Sequence, residues 1–191
     1  MQQNVDNLLA AYRDALLRAN KTLNLVSRQS VDKIIPVLIE ESLLPLAWAS
    51  VRLGSPLLDI GSGGGFPGIP LKIARPALDV TLLDGNRKKT LFLRLTIEKL
   101  QLSNAEVVWG RFEEYCALPE NAGRFGTIVA RGVGQLDQLL RSAVIMLKPK
   151  GELIVWSREN ALADTNCAGY YSPDLLKVAP GLTLIRWERE G

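Results

Sequence analysis

The fifteen residues Leu57–Leu71, LLDIGSGGGFPGIPL, constrain the fold more than any other part of the chain. An apolar run leads into Asp59, five glycines follow between Gly61 and Gly68, and Pro67 and Pro70 then set up a helix. An apolar run, a glycine-rich turn and a helix start make the first βα unit of an α/β fold with a doubly wound, mostly parallel sheet. Such folds bind nucleotide-like ligands where strand ends meet helix N-termini, and glycine lets a ligand approach the backbone without a Cβ in the way. A tight βα turn with a capping aspartate would need fewer glycines, so the stretch reads as a binding loop.

The spacing Gly63-x-Gly65-x-x-Gly68 matches the dinucleotide fingerprint formally, and on its own that match says little. Asp59 opposes it, because a carboxylate two residues before the loop would repel a pyrophosphate. The same carboxylate suits S-adenosylmethionine, which has no phosphate and carries an ammonium and a sulfonium. Asp84 ends the next apolar run, Val80–Leu83, where either cofactor class would want an acceptor for ribose hydroxyls.

Histidine is absent from all 191 residues, which removes the usual general base, the Ser–His and Cys–His nucleophile pairs and the commonest metal ligand. No metal site is expected. Cys116 and Cys167 lie far apart with no C-x-x-C, as expected of free thiols in a reducing cytoplasm. No apolar run approaches the length of a membrane span, and the N-terminus lacks a basic-then-apolar secretory pattern. A net charge of +3 is compatible with a nucleic-acid partner.

In chain order, residues 4–20 place Val5, Leu8, Leu9, Tyr12 and Leu16 at helical spacing, accompanied by Arg13, Arg18 and Lys21. The segment from Asn20 to Leu25 reads as the helix end. A stretch from Val31 to Trp48, interrupted by Pro36 and Pro45, predicts short helices and completes an N-terminal helical cap. A short helix at Leu71–Ala74 precedes strand Val80–Leu83. Arg87, Lys88 and Lys89 then open a helix with Leu91, Phe92, Leu95 and Leu100 on one side. Cations at that end oppose the helix dipole, which favours a partner-facing role for them.

Strand Glu106–Trp109 leads to Arg111-Phe-Glu-Glu-Tyr115 at its carboxyl end, where Phe112 can pack on an adenine and Glu113 can hydrogen-bond it. Strand Thr127–Ala130 ends at Arg131, pointing towards bound ligand. A helix spans Leu136 to Leu147, Lys148–Gly151 makes a turn, and Glu152–Trp156 is strand five. A short helix at 173–178 and a closing strand at Leu182–Trp187 finish the chain. Residues 1–191 are expected to be a single domain, with 1–50 the helical extension and 51–191 the core.

These blocks, together with LLDGNRKKTLFL, GRFEEY, IVARGV and Asn20-Lys-x-x-Asn-Leu25, resemble the bacterial small-subunit (16S) ribosomal RNA guanine-N7 methyltransferase family, RsmG or GidB, over roughly residues 20–157. The resemblance implies a Rossmann-like class I methyltransferase with S-adenosyl-L-methionine as donor and a guanine near the ribosomal decoding site as acceptor. It implies cofactor contacts at Gly61, Phe66, Phe112, Glu113 and Arg131, with Asp84 matching the family's acid after strand two; Asp59 and Gly63 join them. Candidate RNA contacts are Lys21, Asn24, Arg28, Arg87 and Lys88. Guanine N7 has an in-plane lone pair and no proton to lose, so no residue is assigned to proton transfer, and Arg131 is the candidate orienter.

The chain departs from the family at Val37 and Leu38, where a basic residue and a histidine are usual, and at Ser157, where a lysine is usual and Arg158 stands beside it. The expected partner is small-subunit ribosomal RNA or the 30S particle, met by a cytoplasmic monomer. The competing readings are a methyltransferase with another RNA or a small-molecule acceptor, and a non-catalytic cofactor-binding relative. An NAD-dependent oxidoreductase is the weakest, because Asp59 opposes it and no catalytic acid is evident.

Overall fold

The computed structural model describes residues 2–26, 30–132, 134, 136–157, 168–179 and 181–191. Its centre is a seven-stranded sheet in the order β3-β2-β1-β4-β5-β7-β6. The strands are β1 (Leu57–Ile60), β2 (Val80–Asp84), β3 (Ala105–Trp109), β4 (Phe125–Arg131), β5 (Leu147–Ser157), β6 (Asp174–Ala179) and β7 (Leu182–Glu188). β1 to β5 pair in parallel, and β7 runs antiparallel to both neighbours. Chain order reverses at β1, whose neighbours are β2 on one side and β4 on the other. That switch point puts the carboxyl ends of β1, β2 and β4 around one crevice.

Helices cover both faces. Tyr12 and Leu16 of α1 (Gln2–Leu23), Ile35 of α2 (Val31–Leu43), Leu71 and Ile73 of α3 (Gly68–Ala74) and Phe92 and Leu93 of α4 (Arg87–Lys99) share one core with Leu57, Val80 and Leu82. Tyr115 of α5 (Phe112–Cys116) and Leu139, Leu140 and Met146 of α6 (Leu136–Met146) share the other with Leu58, Ile128 and Leu153. The sheet is therefore doubly wound, as the sequence implies. α1 and α2 pack on α3 and α4 within the first layer. Arg186 of β7 ties the last three strands together, donating to Glu152 (2.8 Å), Asp174 (2.7 Å) and Glu188 (2.6 Å).

Several local expectations need correction. Pro36 does not interrupt α2, which runs unbroken because Ile35, Leu38 and Ile39 are buried and outweigh one missing amide hydrogen bond. α1 continues to Leu23, and Asn24, at φ 49°, ends it. α3 starts at Gly68, three residues earlier than expected. In α4 the inward residues are Thr90, Phe92, Leu93 and Thr96, with Leu100 buried just past its end, whereas Leu91 and Leu95 are each 58% exposed. Lys148–Gly151 belongs to β5, where a bulge between the pairs Phe125–Leu147 and Thr127–Glu152 takes up the extra residues. Residues 174–179 form strand β6 rather than a helix, since pairing with β7 overrides a helix-compatible composition.

Candidate functional site

The loop after β1 is held from below by Asp59. This side chain is fully buried, and its Oδ2 accepts the Gly68 amide at 2.9 Å, fastening the N-terminus of α3 beneath the loop. A Cβ on Gly68 would lie 2.7 Å from that oxygen, so no larger residue fits. Gly65, at φ +101°, is constrained twice, because a Cβ there would also meet the Tyr12 hydroxyl at 2.9 Å. Asp59 Oδ1 is buried and has no hydrogen-bond partner among the described residues. Burial pushes the Asp59 carboxyl up to about 7; the Gly68 and Ser62 hydrogen bonds pull the other way, and the charge of Asp84 adds to the rise.

Asp84, at the end of β2, joins this group. Its Oδ2 accepts the Gly63 amide at 2.8 Å and its Oδ1 accepts the Asn86 amide at 2.8 Å. Each oxygen keeps a further acceptor position for a ribose hydroxyl. Gly61 is exposed at the end of β1, its amide bonded to the Leu83 carbonyl at 2.8 Å. The structure thus brings Asp59, Gly61, Gly63 and Asp84 to one place.

Phe66 is buried, its ring 5.6 Å from that of Tyr12. The Tyr12 hydroxyl in turn donates to the Gly64 carbonyl at 2.7 Å across 52 residues of sequence. Sequence reading put Tyr12 on an apolar helix face, and nothing in that pattern signals its hydroxyl contact with the loop.

Phe112 and Glu113 open α5 beyond β3; Phe112 is half-buried, and Glu113 is exposed and accepts from Gln138 at 3.3 Å. Arg131, at the end of β4, is mostly buried and forms an ion pair with Glu41 of α2, while its Nη1 is buried without a partner among the described residues. The Glu41 carbonyl also accepts the Trp156 indole N–H at 2.8 Å, so α2 is anchored over the ends of β4 and β5. Glu41 carries no sequence signal, being one acid of several on an amphipathic helix.

Among the candidate RNA contacts, Lys21 and Asn24 are exposed at the end of α1, Arg87 and Lys88 are exposed at the start of α4, and Arg28 lies outside the described residues. At the departures from the family pattern, Val37 is exposed while Leu38 and Ser157 are buried; Arg158 and Cys167 lie outside the described residues. Among the described residues no cluster of three acids, cysteines or histidines is placed to hold a metal ion, and no helix is long and apolar enough to cross a membrane.

A buried acid with an unpartnered oxygen, under a loop with no room for a side chain at Gly65 or Gly68, fits a ligand bearing positive charge. Comparison with known proteins shows the family and the fold. The family model for GidB, rRNA small subunit methyltransferase G, matches residues 5–169. Ribosomal RNA small subunit methyltransferase G of Pelotomaculum thermopropionicum is 38% identical over 128 residues, covering 67% of this chain and 54% of its own length. Thus the chain spans about half the length of that relative. Ribosomal RNA small subunit methyltransferase G 1 of Syntrophobacter fumaroxidans is 34% identical over 187 residues, covering 92% of this chain and 84% of its own length. Among solved structures, the O-methyltransferase of Bacillus cereus in complex with SAH has a TM-score of 0.66 at 17% identity, covering 94% of this chain and 91% of that one. The fold is therefore that of the class I methyltransferases.

Proposed function

We infer what this chain does from one premise: it belongs to the rRNA small subunit methyltransferase G family, GidB. It is an enzyme that uses S-adenosylmethionine to methylate N7 of a guanine in small-subunit (16S) ribosomal RNA. The observation that carries this reading is the glycine loop pinned between Asp59 and Tyr12, with an unpartnered buried carboxylate oxygen beneath it. When bound, S-adenosylmethionine supplies a methyl group on a cationic sulfur. Gly61 and Gly63 form the cradle, with Asp59 below it and Phe66 packed beside it. Asp84 accepts ribose hydroxyls, Phe112 and Glu113 meet the adenine, and Arg131, fixed by Glu41, orients cofactor or base.

Guanine N7 offers a lone pair and carries no proton, which suits a chain without histidine. The protein's work is then to hold and align, and orientation of this kind supplies several kcal/mol of a barrier. Lys21, Asn24, Arg28, Arg87 and Lys88 are assigned to RNA contact, and the whole chain acts as one cytoplasmic, monomeric methyltransferase unit on the RNA or the 30S particle. Transfer of labelled methyl groups into small-subunit RNA, large-subunit RNA and transfer RNA tests this assignment. Label is expected in small-subunit RNA alone and not with Arg131→Ala; equal labelling of all three, or none, would overturn it.

A further inference from the structure

A large aromatic side chain outside the cofactor crevice has no packing role that explains its position. Trp109 ends β3, the open edge of the sheet, and is 57% exposed. Two residues from buried Val107, it projects to the face covered by α4. The indole is held rather than loose: its N–H donates to the Gly85 carbonyl at 3.1 Å, and the Arg87 guanidinium carbon lies 5.7 Å from the ring centroid. Arg87 is followed by Lys88 and Lys89 in the first turn of α4, a turn with no acid, capped instead by the Asn86 side chain. Among the described residues none of the three cations makes an ion pair, and all three sit where the helix dipole disfavours them. One turn along, Leu91 extends the exposed apolar surface next to Arg87.

A rigid, exposed indole backed by a guanidinium and flanked by unpaired cations is complementary to a nucleobase carried on a phosphate chain. We propose that Trp109 and Arg87 form a stacking platform for an unpaired base of the RNA, separate from the guanine that is methylated. Trp109 pairs with Asp84 across β2 and β3, so the platform lies beside the cofactor crevice and within reach of nucleotides flanking the target. The proposal rests on the RNA methyltransferase reading and adds a second anchoring point to it.

The test titrates the full chain, saturated with S-adenosylhomocysteine, into an end-labelled, otherwise unmodified single-stranded RNA of roughly 12 nucleotides, reading affinity by the label's anisotropy and stacking by tryptophan fluorescence. Trp109→Ala is expected to weaken RNA affinity by about five- to hundredfold. Trp109→Phe should retain stacking and stay within about threefold of the parent, while losing the fluorescence quench. Arg87→Ala should weaken binding and lower the salt slope by about one, and this exposed change keeps the test decisive if Trp109→Ala fails to fold. Trp109→Ala binding within about twofold of the parent would overturn the platform. So would loss of S-adenosylhomocysteine affinity in its place, which assigns the indole to the cofactor, or loss of a dimer with RNA binding intact, which assigns it to a second copy. A parent chain that methylates no RNA counts against the proposed function; an active parent with an indifferent Trp109→Ala counts against the platform alone.

Discussion

Asp59 shows how burial turns one carboxylate into a pH-dependent element. The unfolded chain releases its proton near 3.8 and the folded chain at about 7, so between these values only the folded state holds the proton. This group's contribution to stability therefore falls as pH rises from about 4 to about 7, by at most ~4 kcal/mol. Asp59→Asn, which keeps an oxygen for the Gly68 amide, is expected to flatten that slope in urea unfolding at pH 5 and pH 8. Parallel slopes for the two proteins would contradict this. Tyr12→Phe leaves the buried Gly64 carbonyl without its partner, an expected loss of about 1–3 kcal/mol, together with weaker S-adenosylmethionine binding by calorimetry. Gly65→Ala, forced to φ +101° against Ile69 and Tyr12, should abolish cofactor binding and lower the melting temperature. That Asp59 belongs to the site was legible in its place before the glycines, but its anchoring of the Gly68 amide was not, because the number of glycines favoured a ligand-binding role over a capping one. Tyr12 and Glu41 were not, because a hydroxyl or carboxylate that acts 52 or 90 residues away leaves no local pattern.

At the scale of elements, α4 separates what periodicity reveals from what it leaves open. Leu91, Phe92, Leu95 and Leu100 make an acceptable helical stripe, yet Phe92, Leu93, Thr96 and Leu100 make another, and the sheet selects the second. Leu93→Ala is accordingly expected to cost about 2–5 kcal/mol and Leu95→Ala less than about 0.5 kcal/mol in denaturant unfolding. The β1 loop and the strands β2, β3, β4 and β7 were readable because apolar runs and turn residues bracket them. β6 was not, because Asp174–Ala179 becomes a strand only through the neighbour that pairs with it. The bulge in β5 is hidden for the same reason, since its register is set by β4.

For the molecule as a whole, the placement of α1 and α2 matters most. They share a core with α3 and α4, and Tyr12 and Glu41 reach from them to the glycine loop and to Arg131. In the proposed function, the segment ahead of the first strand thus braces both the cofactor loop and the arginine that orients the reaction. The doubly wound sheet was legible from one βα unit and its successors, whereas this bracing depends on contacts that only the folded chain makes. Methyl transfer to guanine N7 in small-subunit RNA is the central proposal. The most direct measurement is incubation with S-adenosylmethionine and unmethylated small-subunit RNA or particles, digestion to nucleosides and mass spectrometry. A 7-methylguanosine peak is expected with the parent chain and none with Arg131→Ala; absence of that peak from the parent, with cofactor binding intact, would contradict transfer to guanine N7.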